Sequence, residues 1–436
     1  MIPADSYVIR LANIYINLFL QKLPTNVSEL CVSKSAIDCL AVGGDIETIS
    51  LSKVKIESRI YFMEQNNVKH VILDEVEGFL DLQNASQLES VQLLGRNRYL
   101  RLGGINKCRN IKCLKLSWNL DENVLGRIKL AEFENLEVFS IANSVERRIK
   151  SEVTMPNYFM RQPSGLFPDF EQAYGGTLVK YDDYVLRNKW YTILSTMSCQ
   201  VTMKDLNISY ANFYNQPRYE ILAQFSNLEA LTVQFTKIDK LFFSKLPLSL
   251  TYLDISFTSY AIYGLRMKYL LKLDTLIMYL PSNSGTEQEK KYYFDVFQYI
   301  DRNRLTYLDI GNADFNYLAG YNIFHNLKTL IIRDSVLCTS FFDKFVSHIE
   351  VLWCDKYVKL EQSDILSIAK LKHLTTFITD FESKENEQQI GNLVKQPGYF
   401  TRLIRIGRDA KTMLRYMPKY QDHGHLPFTP TAMNSF

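Results

Sequence analysis

The chain is poor in the residues and motifs that usually announce chemistry. Its 436 residues include only six histidines, seven cysteines and three tryptophans. No CxxC pair, HExxH, GxSxG, GxxxxGK[ST] or GxGxxG occurs, so the common zinc, hydrolase and nucleotide-binding signatures are all missing. The cysteines, at positions 31, 39, 108, 113, 199, 338 and 354, are odd in number and widely scattered. That excludes a disulfide framework and predicts reduced, partly buried thiols. A charge excess is lacking too: 50 Lys and Arg face 47 Asp and Glu, for a net +3, far from the footprint of a general nucleic-acid binder. No apolar run approaches the roughly 18–20 residues of a membrane helix. Asp5 and Arg10 precede an Asn-containing stretch with no small-residue cleavage site, unlike a secretory leader. These absences predict a cytoplasmic or nuclear chain that has no cofactor, metal or catalytic centre and binds neither nucleic acid nor membrane.

What the chain does have is a period. A short pattern with apolar first, fourth and sixth positions recurs, most clearly at Leu228-x-x-Leu231-x-Val233, Leu250-x-x-Leu253-x-Ile255, Leu305-x-x-Leu308-x-Ile310 and Leu327-x-x-Leu330-x-Ile332. With 47% apolar residues a single match means little; the spacing carries the information. First positions 27, 46, 68, 88, 111 and 136 lie 19, 22, 20, 23 and 25 residues apart, and the steps from 203 to 401 are 25, 22, 23, 32, 22, 22, 25 and 27. Alternation at the fourth and sixth positions puts both on one face of a short strand.

On these residues the chain resembles the leucine-rich-repeat family, whose repeats measure 20–29 residues. The resemblance implies an α/β leucine-rich-repeat solenoid (horseshoe), with a parallel concave sheet and helices or 3-10 turns on the convex side. Candidate return segments are 217–225, 287–302, 341–348 and 363–371, the last with Ser363 as N-cap. The ninth position, where the family favours Asn or Cys, holds Asn119 once; Ser35, Ser144, Thr236, Thr258 and Ser335 offer hydroxyls that serve part of the same hydrogen bonding. The expected organisation is a capping helix within 1–26, repeats over 27–144, an insertion or degenerate repeat at 145–180, repeats and a cap over 181–415, and a disordered tail at 416–436. His325, His348 and His373, 23 and 25 residues apart, read as structural residues where one repeat enters its strand.

The third, fifth, seventh and eighth positions would line the concave face. They supply Trp118, Tyr210, Phe235 and Phe257 at the eighth, Tyr252 and Tyr307 at the third, Asp254, Asp309 and Trp353 at the fifth, and Arg333 and Asp355 at the seventh. Aromatic groups interleaved with polar ones have the composition of interface hot spots. The expected function is noncatalytic recognition of a protein partner on that face. The alternatives are a substrate-recognition subunit of an F-box-type ubiquitin ligase, with a truncated box inside 1–24, and an enzyme acting through the 145–180 loop.

Overall fold

A computed structural model describes residues 7–20, 27–95, 97, 99–117, 120, 122–142, 189–211, 213, 218–234, 236–256, 258–261, 270–279, 296–297, 300–301, 303–318, 326–345, 348–354, 358–379 and 402–405. The chain forms two compact units, one of Met1–Val153, Val179–Tyr210 and Gln224–Leu228, the other of Thr154–Leu178, Ala211–Ala223 and Glu229–Phe436.

In unit 1 each of the first five repeats contributes two strands. They are β1 (Tyr7–Ala12) with β2 (Tyr15–Leu20), β3 (Val27–Ser33) with β4 (Ala36–Gly44), β5 (Thr48–Ser52) with β6 (Lys55–Asn66), β7 (His70–Asp74) with β8 (Gly78–Asp81), and β9 (Ser90–Leu94) with β10 (Leu100–Gly103). β11 (Cys113–Ser117), β12 (Val138–Ala142) and β13 (Asp205–Asn207) follow. The odd strands β1 to β11, then β12 and β13, pair in parallel as a front sheet, while β10-β8-β6-β4-β2 form a second parallel sheet behind. Unit 2 carries β14 (Ala230–Thr232), β15 (Lys237–Asp239), β16 (Tyr252–Asp254), β17 (Ser259–Ala261), β18 (Thr275–Tyr279), β19 (Tyr307–Gly311), β20 (Thr329–Arg333), β21 (Val351–Cys354), β22 (Thr376–Thr379) and β23 (Arg402–Arg405). All but β15 and β17, which pair separately, form its front sheet. This is an α/β leucine-rich-repeat solenoid, and its core is the one that the period predicts. First-, fourth- and sixth-position residues are buried from Val27, Leu30 and Val32 through Ile349, Leu352 and Cys354.

Two expectations fail. Of the segment read as a capping helix, and as room for a truncated box, the described residues 7–20 are the strand pair β1 and β2. Asn13 sits between them at φ 57°, a left-handed bend that no helix accommodates. The return side of the first five repeats is the second sheet; helical returns begin with the 3-10 turn Ile105–Lys107 and the helix Glu122–Arg127. Later returns are helical at Phe341–Phe345, within the expected 341–348, and one residue or more shorter than expected at Tyr219–Gln224 and Gln362–Ala369. The last is capped by Glu361 in a box with Asp364, rather than by Ser363. The insertion at 145–180, the tail 416–436, Asn119, His325 and nearly all of 287–302 lie outside the described residues.

Three ladders run along the stack. Among the described residues the eighth position ends its front strand in a left-handed residue, at Lys34, Lys53, Glu75, Gly95, Tyr210, Asn312 and Asp334. Its N–H reaches the seventh-position carbonyl of the next repeat, as from Lys34 to Ser52 at 2.9 Å and from Asn312 to Arg333 at 2.8 Å. The ninth-position hydroxyls then do the work expected of them. Ser335 Oγ accepts from Ala313 N at 3.0 Å and donates to Arg333 O at 2.7 Å, and Ser35 repeats this with Ile14 and Ser33. Asn97, one residue displaced, does more: it accepts from Val76 N and donates to Leu94 O and Leu73 O.

The residue just before the first position forms the second ladder. Asn110, Asn135 and Asn227 each donate a side-chain amide to a carbonyl of the preceding repeat, on Ser86, Arg109 and Val201, as does Asn326 to Asn303. The third lies at the second position, where Glu47, Lys69, Glu89, Lys112, Glu137 and Lys204 alternate in sign on consecutive strands. Each of these residues, from Lys69 on, donates its backbone N–H to the carbonyl of the one before, at 2.8 Å. Ion pairs close Lys69–Glu47 at 2.8 Å and Lys204–Glu137 at 2.6 Å. Cross-strand opposite charges stabilise a sheet modestly, and like charges there destabilise it.

Candidate protein-binding face

The outward face of the front sheet changes character along the chain. In unit 1 its fifth positions are part-exposed on five consecutive front strands: Cys31, Ser50, Ile72, Gln92 and Lys115. Around them stand Glu29, Thr48, His70 and Cys113 at the third position and Ser33, Ser52, Asp74 and Leu94 at the seventh, all part-exposed. Strict register holds them in rows: Cys31 is paired with Ser50, Ser50 with Ile72, Ile72 with Gln92 and Gln92 with Lys115. The thiol of Cys31 bonds the Glu29 carboxylate at 3.1 Å; burial first, then that hydrogen bond, pushes it up to about 12. Cys31 is therefore a poor nucleophile.

In unit 2 the corresponding face is buried. Ala230, Tyr252, Ile277, Tyr307, Ile331, Trp353 and Ile378 form one apolar cluster on it. Of the residues expected to bind a partner there, Tyr252, Asp254, Tyr307, Asp309 and Trp353 are 1%, 2%, 8%, 5% and 4% exposed, and only Arg333 is part-exposed. Trp118, Phe235, Phe257 and Asp355 lie outside the described residues. Tyr210, in unit 1, occupies a left-handed corner at φ 67° and is 4% exposed. The sequence carried a signal of this burial. Front strands of unit 1 alternate, as in Thr48–Ser52 (TISLS), whereas Thr275–Tyr279 (TLIMY), Thr329–Arg333 (TLIIR) and Val351–Cys354 (VLWC) run apolar, the mark of a sheet buried on both faces.

The polar groups within this face are matched to one another. Arg333 bonds Asp309 at 2.6 Å and lays its guanidinium 4.8 Å from the centre of the Trp353 ring. Asp254 accepts from Gln234 Nε2 at 2.7 Å and from Ser256 N at 2.9 Å. Burial, reinforced by the Asp309 charge, holds the Tyr307 hydroxyl well above the usual phenol range. Asp309 is thus neutralised by Arg333, and Asp254 is held by donors.

Among the described residues no group of three or more His, Cys, Asp or Glu is placed to hold a metal, and no helix is long and apolar enough to cross a membrane. All seven cysteines are free. No known family profile matches the chain, and no curated protein matches it. Among solved structures, it is similar to an internalin (InlF) of Listeria monocytogenes, with 13% identity and a TM-score of 0.31 over 87% of this chain and 80% of that one.

Proposed function

We propose that the chain is a noncatalytic recognition scaffold that holds a protein partner against the outward face of its front sheet, with the accessible part in unit 1 as the docking surface. One observation carries the reading: five successive parallel strands present part-exposed side chains in fixed register, from Cys31 to Lys115. A sheet pinned by ladders on both edges is preorganised, so binding there loses little conformational entropy. The face offers short hydroxyls at Ser33, Thr48, Ser50 and Ser52, which allow close approach, with Ile72 and Lys115 as the larger contacts. Seven free thiols, Cys108 and Cys199 each raised to about 11 by burial, favour a reducing compartment such as cytosol or nucleus. The substrate-receptor reading has no helical box within residues 7–20 to support it.

The test compares affinity purification with the wild-type chain and with an I72R/K115E variant of unchanged thermal stability. Partners recovered by the wild type and lost by the variant support the reading. Retention of every partner by the variant refutes it, and recovery of ligase-adaptor subunits would favour the substrate-receptor alternative.

A further inference from the structure

The outer side of the second sheet in unit 1 carries aromatic residues that packing does not require. Ile60, Leu80 and Leu102 fill the core behind β6, β8 and β10. On the other side of those strands stand Tyr61 and Phe79, both part-exposed, and Tyr99, which precedes β10 and is 75% exposed. The front sheet of the same repeats presents Ser50, Ser52 and Gln92 instead. Single exposed apolar residues are ordinary, but a contiguous set marks an interaction surface.

Register sets the three rings on one diagonal. Tyr61 is level with Asp81, Phe79 is level with Arg101, and Tyr99 stands two residues before Arg101. Each step from Tyr61 to Phe79 to Tyr99 therefore crosses one strand and drops two residues. A strand spacing of about 4.8 Å and a two-residue rise of about 6.6 Å make each step roughly 8 Å. A glycine lets Phe79 lie down: a Cβ on Gly103 would meet its ring at 2.9 Å, so the ring rests on the β10 backbone. Arg59 steadies Tyr61, with its guanidinium 4.7 Å from the ring centre. Beside the diagonal, Arg59 and Arg101 are balanced by the carboxylates of Glu77 and Asp81, and Lys55 pairs with Glu57 at 3.8 Å.

We infer that this diagonal docks a proline-rich segment of a partner protein in the polyproline II conformation, with a proline at every third residue seated between successive rings. Polyproline II advances about 9 Å per three-residue turn, close to the step between rings, so two such prolines meet the two gaps. The segment is neutral and apolar, and its carbonyls are free. Those properties match a surface of balanced charge whose two phenol hydroxyls are able to donate. A polyanion finds no net positive field there. This face lies behind the front sheet proposed for the main partner, so either reading can fail alone.

The test is fluorescence anisotropy of a fluorescein-labelled peptide of Pro-Ala-Ala repeats titrated with the full chain, beside a peptide of Gly-Ala-Ala repeats. The preformed proline helix binds saturably and roughly tenfold more tightly than the flexible control. In Y61T/Y99N, threonine suits the strand and asparagine suits the left-handed turn at φ 58°. That variant keeps its melting temperature and loses roughly tenfold in affinity. Y99N alone, at the most exposed ring, loses severalfold, while I72R/K115E on the front sheet binds the probe as the wild type does. Absence of saturable binding, equal affinity for the two peptides, or full affinity in Y61T/Y99N and Y99N overturns the inference. Loss of binding in I72R/K115E also overturns it, as does an oligouridylate that competes as well as the proline peptide, the latter in favour of a nucleic-acid ligand.

Discussion

Asn97→Ala removes the most heavily used side chain in the corner ladder. Asn97 is fully buried and stands at φ 40°. It accepts from Val76 N at 2.9 Å and donates to Leu94 O at 2.7 Å and Leu73 O at 3.4 Å. Alanine leaves the buried Val76 N–H without its acceptor, which costs about 1–3 kcal/mol. The two carbonyls keep a second lone pair and suffer less. A left-handed backbone adds about 1 kcal/mol, because Asn tolerates that region better than Ala. The sum is about 3 kcal/mol, a large share of a typical domain's stability. Urea unfolding followed by far-UV circular dichroism reads it as a lower midpoint. Asn110→Ala provides the contrast, since its amide makes a single exposed bond to Ser86 O at 2.8 Å and should cost less than about 1 kcal/mol. An unchanged midpoint for Asn97→Ala, or equal losses for the two variants, would refute the argument that the buried corner amides hold the stack.

Gly78→Ala should destabilise unit 1 by more than about 3 kcal/mol: Gly78 lies at φ +110°, and an added Cβ would meet Ile56 O at 2.1 Å. Failure of that variant to express as folded protein is the expected result, and normal melting would contradict it. Asp309→Ala should cost about 1–3 kcal/mol, the lower end reflecting the partial exposure of Arg333, while D309L/R333M recovers most of the loss; a double-mutant cycle in urea measures both. Burial raises the thiols of Cys108 and Cys199 to about 11 and, with Glu29, that of Cys31 to about 12. Their contribution to stability is therefore complete below the unfolded thiol range near 9 and is lost as pH rises towards 11–12. Stability measured against pH should fall across that alkaline window, and less so in a C108A/C199A variant.

The period was legible because a core position tolerates only apolar side chains, so Leu, Ile and Val recur wherever the chain re-enters the stack. The first repeat was missed for a local reason. Val8, Leu11, Ile14, Tyr15 and Leu18 fall near helical spacing, yet Ile9 and Leu11 are that repeat's fourth and sixth positions, and Asn13 is its corner, 21 residues before Lys34. The candidate face failed in unit 2 for a different reason. A period of two distinguishes one side of a strand from the other but does not reveal which side is solvated. That information lay in the composition of the outward positions, where Ile277, Ile331, Trp353 and Ile378 replace the Ser50, Gln92 and Lys115 of unit 1. The corner bonds of Ser35 and Ser335 were readable because a hydroxyl both donates and accepts. The asparagine slot one residue upstream was equally present in the sequence, but it shows its meaning only once each amide is seen to reach back one repeat.

The alternating charges from Glu47 to Lys204 have a consequence for how such a chain changes length. Removing one repeat from within that run, or duplicating one, sets two like charges side by side at the new joint. Removing or duplicating two restores the sequence of signs. The sheet itself repeats with every strand, but its edge has parity, so the segment exchanged without electrostatic penalty is a pair of repeats, on the order of 45 residues.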